Sequence, residues 1–148
     1  MSERFKGRDI SKTNDQLRQR GKKFGIVFGN RTLLSNSRLA LEASEYACDM
    51  GKFESFHETM FKSYFTEAYD IGDIDVVKSV VTEIGLDVDN MMKAISGNRY
   101  STRLSEARQE AEKINLTGVP TFIINEKYKI VGAQPVSVFK EVFDKLEE

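Results

Sequence analysis

Residues 115–131 read NLTGVPTFIINEKYKIV, and this stretch decides the fold. Asn115, Leu116 and Thr117 leave a helical pattern. Gly118 supplies backbone freedom, and Pro120 fixes φ while removing one amide donor. Thr121, Phe122, Ile123 and Ile124 carry the β-branched and aromatic bias of a strand. Asn125, Glu126 and Lys127 make a break of hairpin length, and Tyr128, Lys129, Ile130 and Val131 return as a second strand. The residues leave two geometries open at Val119–Pro120. One is a cis bond, which persists only where the fold holds it. The other is a trans proline that begins an edge strand.

Upstream, Tyr100, Leu104, Ala107, Ala111 and Ile114 recur at helical spacing and deliver the chain to this loop. The other faces alternate in charge through Arg103, Glu106, Arg108, Glu110 and Glu112, as a solvated surface does. Asp87 is placed to cap a helix over 88–95, with Gly97 as its stop. Asp73 caps one over 74–84, with Val77, Val80, Val81 and Ile84 inward and Gly85 at its end. Phe53, Phe56, Met60, Phe61, Tyr64 and Phe65 fall on one side of a helix and read as core. Before them Ser35, Asn36 and Ser37 compete as the N-cap of a further helix. Leu39, Ala43, Tyr46, Ala47 and Met50 form its buried face, and Gly51 lies past its end. Downstream of the hairpin, Gln134 and Pro135 open a last helix, where proline's missing amide costs nothing. Val136, Phe139, Val142, Phe143 and Leu146 turn inward there. The order is arm, five helices, hairpin, helix, without internal repeats.

At 148 residues the chain suits one domain with a sizeable core. With 40% hydrophobic and 30% charged residues it has the composition of a folded rather than a disordered protein. The net charge of −1 gives no global field for nucleic acid or membrane. No apolar run approaches the ~20 residues that span a bilayer, and the N-terminus is polar and basic without an apolar core. One cysteine excludes an intramolecular disulfide framework. The expected setting is therefore cytoplasmic, with neither nucleic acid nor membrane as partner. Charge is uneven nonetheless: residues 1–31 hold nine Lys/Arg against three Asp/Glu, a net +6 that leaves −7 for the rest. Without interleaved aromatics this reads as a solvated arm, flexible or helical; ion pairing with the acidic body is also open. Within the arm, residues 24–28 read either as a short strand or as an extended connector between Gly25 and Gly29.

Two lone residues invite a chemical reading. Cys48, between Ala47 and Asp49, has neither a neighbouring base nor a helix N-terminus to activate it. It is expected to be structural, a small hydrophobe beside the buried helix face. His57 is the only histidine; packing or surface is the expected role. Too few ligands surround it for zinc, so no metal site is expected.

The run Leu116-Thr117-Gly118-Val119-Pro120-Thr121-Phe122, followed by strand, hairpin, strand, Gly132 and a final helix, resembles the C-terminal half of a thioredoxin fold. It is most similar to the DsbA family and, within it, to the FrnE-like cytoplasmic branch. The segments Asn36-Ser37-Arg38-Leu39-Ala40-Leu41-Glu42-Ala43, Gly51-Lys52-Phe53 and Met60-Phe61-Lys62-Ser63-Tyr64-Phe65 fit the helical insertion of that branch. The resemblance covers residues 16–146. It implies a cis Val119–Pro120 bond facing an active-site dithiol. It also implies an opening of strand, Cys-x-x-Cys helix and strand before the insertion, and here this chain departs, having Cys48 alone.

The expected fold is thus α/β: an incomplete thioredoxin-like (DsbA-like) fold with a large helical insertion and a C-terminal β-hairpin plus helix. Its parts are a basic arm over 1–31, the insertion over 32–114 and the thioredoxin-fold half over 115–148. The resemblance implies a dithiol–disulfide oxidoreductase family protein that lacks its catalytic motif and is inactive alone. Val119, Pro120 and Thr121 are the substrate-binding residues, taking an extended thiol peptide or glutathione; no catalytic residue, metal ligand or cofactor is implied. Two other classes stay open: a non-catalytic peptide or glutathione binding module, and a self-associating structural partner. In the family fold the strand after the proline pairs with the first strand. Without that strand, residues 24–28 could fill the slot, or a homodimer could bury the open edge.

Overall fold

The computed structural model describes residues 9–147, so the first eight residues of the expected arm lie outside it. The chain divides into two compact units, Met1–Leu104 and Ser105–Glu148. No helix among the described residues is long and apolar enough to cross a membrane.

The first unit is helical. It contains α1 (Ile10–Lys22), α2 (Arg38–Asp49), α3 (Phe53–Phe61), a π-helical turn (Lys62–Thr66), α4 (Ile74–Glu83) and α5 (Val88–Ser96). The helix α6 (Arg99–Lys113) begins there. Aspartates start three of these helices as sequence rules dictate. Asp9 accepts from the Lys12 amide at 3.0 Å, Asp73 from Asp75 at 2.9 Å and Asp87 from Asn90 at 2.9 Å. The helix α2 is the hub, packing on α3, α4 and α5. Its inward face is Ala40, Ala43, Tyr46 and Ala47, and three alanines let neighbouring helices approach closely. Phe56, Met60, Val77, Val80, Val81, Met91 and Tyr100 complete this core.

The described part of the expected arm is tied into this unit. Asn14 is buried and donates to the Arg31 carbonyl at 2.8 Å. Residues 24–28 form a connector rather than a strand. The backbone docks instead on the π-helical turn, with the Gly29 amide donating to Phe65 at 2.8 Å and the Thr66 hydroxyl to Val27 at 3.0 Å. The aromatic stripe also divides. Phe56 and Met60 are buried, whereas Phe53 and Phe61 are exposed. The division lies within regular α3, where Phe53, His57 and Phe61 follow one another four apart on an outer stripe and Phe56 and Met60 form the adjacent stripe that meets the core. Beyond α3 the π-helical turn, in which the Glu67 amide reaches back to Lys62 at 3.0 Å, shifts the phase of Tyr64 and Phe65.

Cys48 corrects the expectation of a buried thiol: it is exposed. It follows the buried Ala47 by one residue, which on a helix turns the side chain about 100° away from the core. Its neighbour Asp49 is fixed by the first turns of α6. Arg99 and Arg103 each approach it at 2.9 Å, and the Tyr100 hydroxyl donates to it at 3.1 Å. Arg103 also pairs with Glu45 at 3.0 Å. The Arg103 hydrogen bond holds the Asp49 carboxyl below the ordinary carboxylate range, against the upward push of burial. Burial first, and then the Asp49 contact, raise the Tyr100 phenol.

The second unit holds the rest of α6, then β1 (Thr121–Ile124), β2 (Tyr128–Val131) and α7 (Val136–Glu147). The two strands pair antiparallel, Thr121 with Val131 through Ile124 with Tyr128. Phe122 meets Phe139 of α7 edge-on at 4.9 Å, and Ile130 is buried. Of the residues expected to face inward on α7, Phe139, Val142 and Leu146 are partly buried, but Val136 is 71% exposed and Phe143 is exposed too. A unit of this size has too little interior to cover a whole helix face.

Candidate functional site

The proline loop lies in the second unit and is positioned from both ends. Asn115, at φ 49°, ends α6 in the left-handed conformation. The Leu116 amide then returns to Ala111 at 2.9 Å and the Asn115 amide to Glu112 at 3.0 Å, satisfying the last carbonyls. The Lys129 ammonium of β2 donates to the Ile114 carbonyl at 2.9 Å and also to that of Asn115. A cation at a helix C-terminus is favourable there. These contacts anchor residues 114–116 beside the hairpin.

From there the loop turns into β1. The Val119–Pro120 peptide is cis. The Thr121 hydroxyl donates to the Gly118 carbonyl at 2.6 Å, closing the turn. The Pro120 carbonyl accepts from the Gly132 amide at 2.7 Å, which extends the hairpin ladder by one step. Gly118 packs close to Val131, whose methyl lies 3.3 Å from where a β-carbon would stand. Gln134 completes the support, its side-chain amide donating to the Val131 carbonyl at 2.9 Å.

The structure therefore brings Val119, Pro120 and Thr121 together at the start of one strand edge. Val119 is 83% exposed, Phe122 40% and Ile123 53%. Ile123 was not among the sequence-derived site residues; its place on the edge depends on pairing with β2, which no local pattern states. Chemically the arrangement offers backbone groups that are unpaired among the described residues, beside apolar side chains. It holds no thiol, and the Thr121 hydroxyl is committed to the Gly118 carbonyl.

The helical unit carries a separate concavity of about 230 Å³, lined by Leu41, Phe56, His57, Met60, Phe61 and Tyr64 among others. His57 is exposed, and its ring lies between Phe53 at 5.6 Å and Phe61 at 4.1 Å. The lining is apolar, with this imidazole as its one basic group.

Comparison with known proteins agrees with the fold. The model of the DSBA-like thioredoxin domain matches residues 7–144. Over 117 residues the chain is 32% identical to the uncharacterized protein YwbO of Bacillus subtilis strain 168, covering 78% of this chain and 58% of that protein. The crystal structure of a probable DsbA oxidoreductase from Streptomyces coelicolor superposes with a TM-score of 0.75 at 22% identity. That superposition covers 91% of this chain and 59% of the other. The chain spans less than two thirds of the length of either relative. It has the DsbA-like fold with a single cysteine and hence no Cys-x-x-Cys. The chain belongs to the DSBA-like thioredoxin domain family.

Proposed function

We propose that this chain is the recognition part of a DsbA-like dithiol–disulfide oxidoreductase. It holds an extended thiol peptide or glutathione at Val119, Pro120 and Thr121, and alone it catalyses no disulfide exchange. The observation that carries this reading is the exposed Val119 beside a strand edge that β2 leaves unpaired. A peptide laid along Thr121 gains main-chain hydrogen bonds, and one of its side chains packs on Val119. Exchange needs an attacking thiolate and, in most cases, a resolving cysteine. Cys48 has no second cysteine in this chain to resolve a mixed disulfide. A single cysteine also suits work in the cytoplasm.

The test combines two measurements on the full chain. Titration with glutathione, and with a short extended peptide containing one cysteine, is followed by amide shifts. Insulin reduction is assayed in parallel. Shifts confined to residues 119–123, with no insulin reduction, are expected. Amides there that respond to neither ligand would remove the binding reading. Reduction by the wild type that Cys48→Ala abolishes would remove the claim of inactivity.

A further inference from the structure

The outer edge of β1 has a hydrogen-bonding pattern of its own. The Gly132 amide bonds to the Pro120 carbonyl at 2.7 Å, and Phe122 and Ile124 stand opposite Ile130 and Tyr128. Bonded and non-bonded pairs alternate in an antiparallel ladder, so Phe122 and Ile124 direct their backbone groups toward β2. Thr121 and Ile123 direct theirs the other way. No strand pairs with them among the described residues. Nothing on β1 blunts this edge, since its four residues carry no charge and no proline.

We propose that two copies of this chain pair antiparallel along this edge, about a two-fold axis at Phe122. The result is a continuous sheet in the order β2, β1, partner β1, partner β2. Thr121 and Ile123 lie two positions apart, so an axis through Phe122 sets Thr121 of each copy against Ile123 of the other. Both outward residues then exchange N–H and C=O bonds with their counterparts. A register shifted by one residue would set outward groups against inward ones. An axis through Thr121 or Ile123 would pair only one of the two outward residues within the strand, so the axis at Phe122 forms the most bonds. Phe122 meets its own copy in the closer, non-bonded position, where cross-strand aromatic pairs stabilise. Its ring is already braced on Phe139 at 4.9 Å and 40% exposed. A second copy suits the edge because the two-fold exchanges its donors and acceptors, and an uncharged strand does not repel itself. This pairing rests on the ladder alone and competes with peptide for the same groups.

Sedimentation of the full chain across the micromolar range, with residue-level amide exchange, tests it. A concentration-dependent dimer is expected, with the Thr121 and Ile123 amides protected at high concentration and exposed on dilution. Ile123→Lys places a charge on the edge, and Ile123→Pro removes an outward donor; each should weaken association by about tenfold, the scale of one or two lost hydrogen bonds. A monomer throughout, or a dimer that both variants leave unchanged, overturns the proposal. So does a wild-type dimer whose Thr121 and Ile123 amides exchange freely, whatever the folding of the variants. Peptide shifts without a dimer end this inference and leave the peptide reading intact; a dimer indifferent to peptide does the reverse.

Discussion

Asp49 shows how much one side chain can hold at the residue scale. It accepts from Arg99, Tyr100 and Arg103 at once, and the Arg103 bond lowers its pKa most. A carboxyl whose folded pKa lies below its unfolded value contributes stability above the unfolded value. That contribution disappears as pH falls through the folded one. Asp49→Asn should therefore be less stable than wild type at neutral pH, with the gap narrowing below about pH 4. Denaturant midpoints at neutral and acid pH check this; a gap independent of pH would contradict it. The Tyr100 hydroxyl keeps a partner in the variant, so the measurement isolates charge more than packing.

At the scale of elements, the connector from α1 to α2 is specified by close approach. A β-carbon at Gly29 would collide with the Thr66 carbonyl oxygen. Gly29→Ala should cost roughly 1–3 kcal/mol, as overpacking does, read as a fall in thermal stability. The helices α4 and α5 were legible because Asp73 and Asp87 announce them and glycines follow their ends. The hairpin was legible from strand bias around Asn125, Glu126 and Lys127. The connector was not, because Ile26 and Val27 have the composition of a strand but no strand beside them among the described residues, and composition does not supply one. Nor was the division of the aromatic stripe, since Phe53 and Phe61 lie one step round the helix from Phe56 and Met60, and periodicity does not say which of two adjacent stripes meets a neighbouring helix. Of the candidate site, Val119, Pro120 and Thr121 were legible through the Gly-Val-Pro-Thr run. Which backbone groups face outward was not, because that depends on register with β2.

For the molecule as a whole, burial is unequal. Ala43, Ala47, Val77, Val81, Met91 and Tyr100 have no exposed surface and all belong to the helical unit, whereas Ile130 is the buried hydrophobe of the other. Exchange protection follows buried contacts and hydrogen bonding. Amides of α2 and α4 should therefore exchange only through global unfolding, and those of β2 and α7 earlier, through opening of the second unit. Hydrogen exchange with mass spectrometry on the dilute chain reads this directly; equal rates in both would contradict it. The same inequality has an optical side. The chain has no tryptophan and five tyrosines, and the two most deeply buried, Tyr46 and Tyr100, face each other edge-on at 6.5 Å within the helical core. Tyr128 is the one tyrosine of the second unit. Near-ultraviolet ellipticity and tyrosine emission will therefore be dominated by the helices. The proline loop and its strand edge can come apart almost unseen by either.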